Sequence, residues 1–239
     1  MPAGQPAQPE RLACHLQYAV HGCIYELLKD EIMARQGFMG KLSRWFSGPS
    51  DTYFFGLQIV VRCYGEDTLR SRFAAVLAEA RAGDEGPQDK RRFIRRLVAL
   101  LEEAELFWTY GYWTYCDRAE EATEEFDTWI DEIEGMLATE EEELDEDVDH
   151  IRRTSSRKDF VVVTLAFLLD APYEPAEAVA HEDDAYLKET FTALVQGLAR
   201  IDPRTIQADA AYVVPGNEAD GLSEDDLYSP GWEYLRMLL

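Results

Sequence analysis

The hydrophobic positions of this chain recur with two different periods, which separate strands from helices. In residues 52–63 every second residue is apolar, so this segment predicts a strand with one fully buried face. A short aromatic run at 112–116 and a second alternating run at 206–214 predict two further strands. The continuous apolar run from Phe160 to Leu168 predicts an interior strand that is buried on both faces.

Apolar residues three to four positions apart predict the helices. They place helices at residues 10–35, 66–82, 87–107, 117–137 and 183–201. Thr139 and Glu142 form a capping box, which predicts that another helix begins at Thr139. Trp129 lies on the apolar side of the 117–137 helix, and we expect it to be largely buried.

Four strands separated by helices, without a tight hairpin turn between any two, favour an α+β fold. We expect a two-layer sandwich of a mixed sheet of about four strands and helices, plus an N-terminal helix. Because the first and last strands alternate, the helices are expected mainly on one face of the sheet. Residues 1–9 are expected to be disordered, and residues 10–239 to form a single α/β domain.

The acidic residues are concentrated in one region. Residues 117–149 hold seventeen of the forty-seven Asp and Glu residues and a single base, Arg118. Apolar residues at helical spacing run through this region, so the acid covers two helices and is not a disordered tail. A net charge of −24 repels phosphate backbones and anionic lipids, which argues against nucleic acid and against membrane contact.

The sequence also bears on the compartment. The first ten residues have no basic and apolar signal regions, and the longest apolar run is about half of what a bilayer needs. The four Cys residues show neither metal-binding spacing nor the density of a disulfide scaffold. We therefore expect a cytoplasmic protein with reduced thiols.

The order of these elements resembles a known family. The segments that carry the resemblance are FFGLQIVVRCYG, GYWTYC followed by AEEATEEFDTWIDEI, DFVVVTLAFLLDA, and the C-terminal IDPRTIQADAAYVVPGNEADGLSEDDLYS. Over residues 52–238 they look like an uncharacterised bacterial and chloroplast family, domain of unknown function family fifteen-seventeen. Its members usually carry a membrane-spanning segment ahead of the domain, and this sequence shows none. The resemblance implies the fold and brings no catalytic residues.

Two clusters have residue types that bind metals, but their spacing is unsuitable. Asp145, Asp147 and Asp149 match the first acidic positions of a calcium-binding loop. The positions where such a loop needs Gly and Glu hold His150 and Ser156 instead. A second cluster, on the first predicted helix, cannot direct four ligands at one zinc ion. It consists of Cys14, His15, His21 and Cys23. No nucleophile elbow, phosphate loop or dinucleotide motif is present. We therefore expect no catalytic, cofactor or metal residues.

One basic patch stands out, at the start of the helix that follows Pro87. It consists of Lys90, Arg91, Arg92, Arg95 and Arg96. A helix N-terminus prefers acid, so we expect these cations to pair with the acidic helices, in the same chain or in a second copy. Phe38, Leu42, Trp45 and Phe46 resemble a short interfacial helix, packed on the protein itself or docked on a partner or membrane.

These patterns favour a non-enzymatic interaction or scaffold protein that binds an unknown protein partner, with a homodimer as one possibility. The acidic helices and the less covered sheet face are the expected contact surfaces. The candidate partner-binding residues are Glu120, Glu124, Asp131, Arg91, Arg92, Arg95, Arg96, Phe38 and Trp45. The alternative is an enzyme or small-ligand binder with an aromatic pocket beside the sheet. Its pocket would use Tyr110, Tyr112, Trp113 and Tyr115.

Overall fold

A computed structural model describes most of the chain after residue 50. The described residues are 51–63, 68–82, 86–145, 159–215, 221–228 and 231–239. Several predictions fall on other residues: the disordered start, the N-terminal helix, the Cys-His cluster, Phe38 and Trp45, and most of the Asp-rich calcium-like segment. These predictions lie outside the described residues.

Five strands form one open sheet. They are β1 (Tyr53–Arg62), β2 (Trp108–Cys116), β3 (Phe160–Leu169), β4 (Ile206–Val214) and β5 (Arg236–Met237). Their order is β4-β3-β1-β2-β5, and all neighbours are antiparallel. The prediction of a mixed sheet is therefore wrong, and β5 adds a fifth strand to the four that were expected. The four predicted strands are confirmed, and β2 begins four residues earlier than predicted.

Five helices connect or follow the strands in the described part of the chain. They are α1 (Thr68–Ala82), α2 (Pro87–Glu103), α3 (Ala119–Asp145), α4 (Glu174–Glu177) and α5 (Lys188–Leu198). The helix predicted at 117–137 is confirmed as part of α3, but the predicted start of a new helix at Thr139 is wrong. α3 continues through this position without a break, and no proline interrupts it. One long helix therefore carries the acid up to Asp145.

Both faces of the sheet are covered by helices. The side chains of Phe55, Leu57 and Ile59 point to a first face, where they pack with α1, α2 and α5. Those of Phe54 and Val60 point to a second face, under α3 and the C-terminal segment. β3 is buried along its whole length, as predicted for an interior strand. The expected two-layer arrangement with one less covered face therefore gives way to three layers.

Two completely or almost completely buried polar side chains lie at the centre of the second face of the sheet. Gln58 of β1 and Thr164 of β3 are directly opposite each other in the ladder. They are 2% and 0% exposed, and Gln58 Oε1 and Thr164 Oγ1 have no hydrogen-bond partner within the described part of the chain. Alternation in residues 52–63 predicts only one buried face, and Gln58 lies on the other, yet it is buried as well.

A glycine determines how closely α3 approaches the sheet. Trp129 is 6% exposed, as predicted, and its ring lies over Gly56 of β1. A Cβ atom at Gly56 would lie only 2.7 Å from ring carbon Cη2 of Trp129. The ring also meets Phe54 edge-on, with centroids 5.5 Å apart. Gly111 has the same role on the first face, where a Cβ atom would clash with the Phe191 ring.

We predict that Gly56→Ala destabilises the protein. The new methyl group overlaps an indole that its neighbours hold in place, so the free energy of unfolding should fall by about 1–3 kcal/mol. Urea denaturation measures this change. Combining it with Trp129→Phe should give a loss smaller than the sum of the two single losses. Strict additivity would contradict a direct contact between Gly56 and Trp129.

Candidate protein-interaction surface

α3 lies on the second face of the sheet through one apolar stripe. Ala122, Phe126, Trp129 and Ile133 occur at helical spacing, and each is at most 8% exposed. Trp129 also stacks on Tyr112 of β2, with ring centroids 6.0 Å apart. These contacts fix which side of the helix faces the sheet. The opposite side of α3 is therefore turned outward.

The outward side of α3 carries an acidic face, which we define by Glu120, Glu124, Asp127 and Asp131. All four side chains are exposed. Their spacing of four, three and four residues places them in one row along the helix. Three of the four, Glu120, Glu124 and Asp131, were candidates from the sequence, and the structure brings these three together on this face.

The ion pairs near the acidic face involve other carboxylates. Near the start of α3, Glu121 pairs with Arg118. Glu134 accepts a hydrogen bond from the uncharged Tyr212 hydroxyl at 3.1 Å. The four residues of the acidic face have no ion pair within the described part of the chain. The face therefore keeps nearly its full negative charge.

This accumulation of charge destabilises the helix that carries it. Glu120 and Glu124 lie four residues apart, as do Asp127 and Asp131, and like charges at this spacing repel by about 0.2–0.5 kcal/mol per pair. Glu120 gains from the helix N-terminus, but Asp127 and Asp131 lie beyond the first turn, where that benefit ends. Next to this row, the pKa of Glu132 is raised from its ordinary value of 4.5, first by partial burial and then by the charge of Glu125.

The basic patch pairs with other acids than predicted. Lys90 pairs with Asp209 of β4, and Arg96 pairs with Glu79 of α1. Arg91 lies 3.8 Å from Asp202, and Arg92 lies 3.1 Å from Asp89 in its own helix. The patch belongs to α2 on the first face, whereas α3 covers the second face. Among the described side chains, the predicted pairing with α3 inside one chain is therefore not found, because the sheet separates the two helices.

The four aromatic residues of the alternative pocket do not converge. Successive residues of a strand point to opposite faces, so Tyr110 and Tyr112 lie on the second face and Trp113 and Tyr115 on the first. Three of them are held by polar contacts. The Trp113 indole N–H donates to the Ala185 carbonyl at 2.8 Å. The Tyr115 hydroxyl donates to Glu177 at 3.1 Å, and the hydroxyls of Tyr110 and Tyr228 lie 3.1 Å apart. The four residues therefore lie on both faces of the sheet and do not line one pocket.

An open groove of about 390 Å³ lies elsewhere, at the start of α2. It is lined by Pro87, Gln88, Arg91, Asp202 and Arg204. Its lining has no aromatic residue, and an ion pair between Arg91 and Asp202 crosses it. Within the described ranges, no group of three His, Cys, Asp or Glu residues could hold a metal ion.

Phe38 and Trp45, the candidates for docking on a partner or membrane, lie outside the described residues. Among the helices that the structure describes, none combines the length and the apolar character needed to cross a membrane. Comparison with protein-family models, curated proteins and solved structures finds no match for this chain. The resemblance to family fifteen-seventeen therefore stays a prediction.

Sequence reasoning missed the glycine that packs beneath α3 and the acids that pair with the basic patch. Gly56 provides the space for the Trp129 ring, and this role cannot be read from the neighbouring sequence, because Trp129 lies more than seventy residues away in the chain. Asp202 and Asp209, which neutralise part of the basic patch, carry no local signal of that role. Asp127 could have been found from its four-residue spacing to Asp131.

We predict that Glu124→Lys stabilises the protein. The introduced ammonium group would replace repulsion with attraction toward Glu120, Glu121 and Asp127, which raises the free energy of unfolding by about 1 kcal/mol. Urea denaturation at low ionic strength measures the gain, and it should shrink in high salt through screening. Glu182→Lys makes the same change in net charge outside α3 and is the control. An equal gain in both variants would show that net charge, and not local repulsion, is responsible.

We predict that Glu132→Gln stabilises the protein at pH 7. Because the folded-state pKa of Glu132 is raised, its ionisation opposes folding above that pKa. The variant lacks this penalty, so its advantage should disappear as the pH falls below about 4.5, where the carboxyl is protonated in both states. Thermal unfolding between pH 4 and 7 tests this, with Glu174→Gln as the control. A constant difference across this range would contradict the prediction.

Proposed function

We propose that this protein is a non-enzymatic interaction protein that binds a basic partner protein through the acidic face of α3. The observation that carries the proposal is an exposed row of carboxylates that has no cationic partner among the described residues and lowers the stability of its own helix. Proteins keep local conflicts of this kind mainly at functional sites, which supports a role of the row in binding. A cationic partner relieves the same repulsion by binding.

The packing of α3 supports this role. The helix is held against the sheet by buried aromatic side chains, so the carboxylates keep fixed spacings before a partner arrives. A preorganised surface loses less conformational entropy on binding. The negative field would also speed the encounter with a basic protein, with an effect that weakens as ionic strength rises.

The ion pairs of the basic patch argue against α2 of a second copy as the partner of the acidic face. Four of its five cations already contact acids of the same chain. A second copy would therefore offer little free positive charge to the acidic face. The paired candidates Arg91, Arg92 and Arg96 are thus less suited to this contact than Glu120, Glu124 and Asp131. Membership of family fifteen-seventeen and a cytoplasmic location are compatible with this function and stay predictions.

An affinity capture tests the proposal. The full chain is immobilised, a lysate of the cells that produce it is applied, and bound proteins are quantified by mass spectrometry. The test variant, E120Q/E124Q/D131N, removes three charges from the acidic face. The control, E174Q/E182Q/D183N, removes three exposed charges elsewhere. We expect a basic protein that the wild type and the control retain, that salt elutes, and that the test variant loses.

Circular dichroism must first show that both variants keep the wild-type fold. An unchanged set of bound proteins in the test variant would contradict the proposed role of the acidic face. So would an equal loss in both variants, because it would trace capture to net charge rather than to the row on α3.

A further inference from the structure

β4 forms one edge of the sheet, in the order β4-β3-β1-β2-β5. Within the described ranges, its nine residues form a ladder with β3 only. In an antiparallel ladder, the N–H and C=O groups of every second residue point away from the neighbouring strand. β4 therefore presents an edge that a further strand can extend by main-chain hydrogen bonds.

The usual devices that block such an edge are weak in β4. Natural proteins protect edges with charged side chains, proline, bulges or a covering element. The single charged residue of β4 is Asp209, whose side chain is 12% exposed and pairs with Lys90 of α2. The strand contains no proline, and the irregularity in its ladder falls at one end, beside Leu168 and Leu169. Most of the edge is thus regular, and the one carboxylate of the strand itself is paired, while Glu134 of α3 accepts a hydrogen bond from Tyr212 beside it.

We propose that β4 pairs with β4 of a second copy of this chain, antiparallel about a two-fold axis, so that two sheets become one. A chain with a net charge of −24 repels a second copy over most of its surface. β4 is favourable because Lys90 neutralises its only carboxylate. An antiparallel edge is also complementary to itself, which is what a two-fold interface requires.

The residues of β4 define a register for this pairing. Ala210 is the midpoint of Ile206–Val214, so a dyad at Ala210 pairs the whole strand. Asp209 then lies opposite the partner's Ala211, and Ala208 opposite the partner's Tyr212. Small side chains meet larger ones, and no two carboxylates are opposed. A dyad at Asp209 would instead place two carboxylates opposite each other, which is destabilising.

The dyad at Ala210 also determines the arrangement of the two helical layers. Paired residues have the same parity along the strand, so each face of one sheet continues as the same face of the other. The acidic faces of both copies then lie on the same side of the joined sheet. The dimer would therefore present two negative surfaces in one direction, and it does not require the acidic face for its own formation.

Sedimentation equilibrium and cysteine cross-linking test this pairing. The unmodified chain should sediment as a dimer at micromolar concentration, and the dimer should persist in high salt because main-chain hydrogen bonds hold it. Ala210→Cys should form a disulfide-linked dimer with diamide as oxidant, because residues at the dyad have Cα atoms about 4.5–5.5 Å apart. The background carries Cys14→Ser and Cys23→Ser, while Cys63 and Cys116 are buried.

Val213→Cys is the matched control. It lies opposite the partner's Gln207, so the two copies of residue 213 would be roughly 20 Å apart and should not cross-link. A monomer at every concentration overturns the proposal. So does a dimer in which Ala210→Cys fails to cross-link, or in which Val213→Cys cross-links equally well, because the contact then lies elsewhere.

Discussion

The indole of Trp129 fills the space left by the missing side chain of Gly56, and the second face of the sheet depends on this packing. Without a Cβ atom at Gly56, α3 approaches β1 closely enough for Phe54 and Tyr112 to enclose the same ring. The helix is thereby fixed in rotation as well as in position. Its apolar stripe is buried and its carboxylates are turned outward, so the charge pattern of the surface follows from a steric fit in the core.

The sheet separates charges as well as layers. α2 and its cations lie on the first face, where acids from α1, β4 and the turn before β4 are within reach. α3 lies on the second face, where the described side chains include few bases. Charge is thus balanced locally on one side and left in excess on the other. That asymmetry, more than the total charge, distinguishes the surface of α3 from the rest of the described molecule.

The strands could be predicted from the sequence, because alternation and apolar runs are local signals. The direction of the strands could not. Two helices connect β1 to β2, and two more connect β3 to β4, and each of these strand pairs runs antiparallel. β2 and β3, which follow each other in the sequence, run in the same direction with β1 between them. Alternating elements suggested a mixed sheet because the pattern does not show which strands become neighbours.

The candidate site, like the strands, was predictable only as far as local sequence signals determine it. The outward position of Glu120, Glu124 and Asp131 follows from the helical period alone. The partners of Arg91 and Arg96 do not, because Asp202 and Glu79 reach them through tertiary packing. Gln58 shows the same limit: a polar residue in a strand suggests exposure, yet tertiary packing buries it beside Thr164.

The central position of β1 also has a kinetic consequence. Ile59 pairs with Val163, which follows about a hundred residues later in the chain, and such long-range pairing slows folding. During synthesis, β1, β2 and α3 emerge before β3, so one edge of the strongly apolar β1 stays open while the chain lengthens. Partly folded chains with open strand edges aggregate readily. The repulsion that weakens the finished helix would then keep these unfinished chains apart.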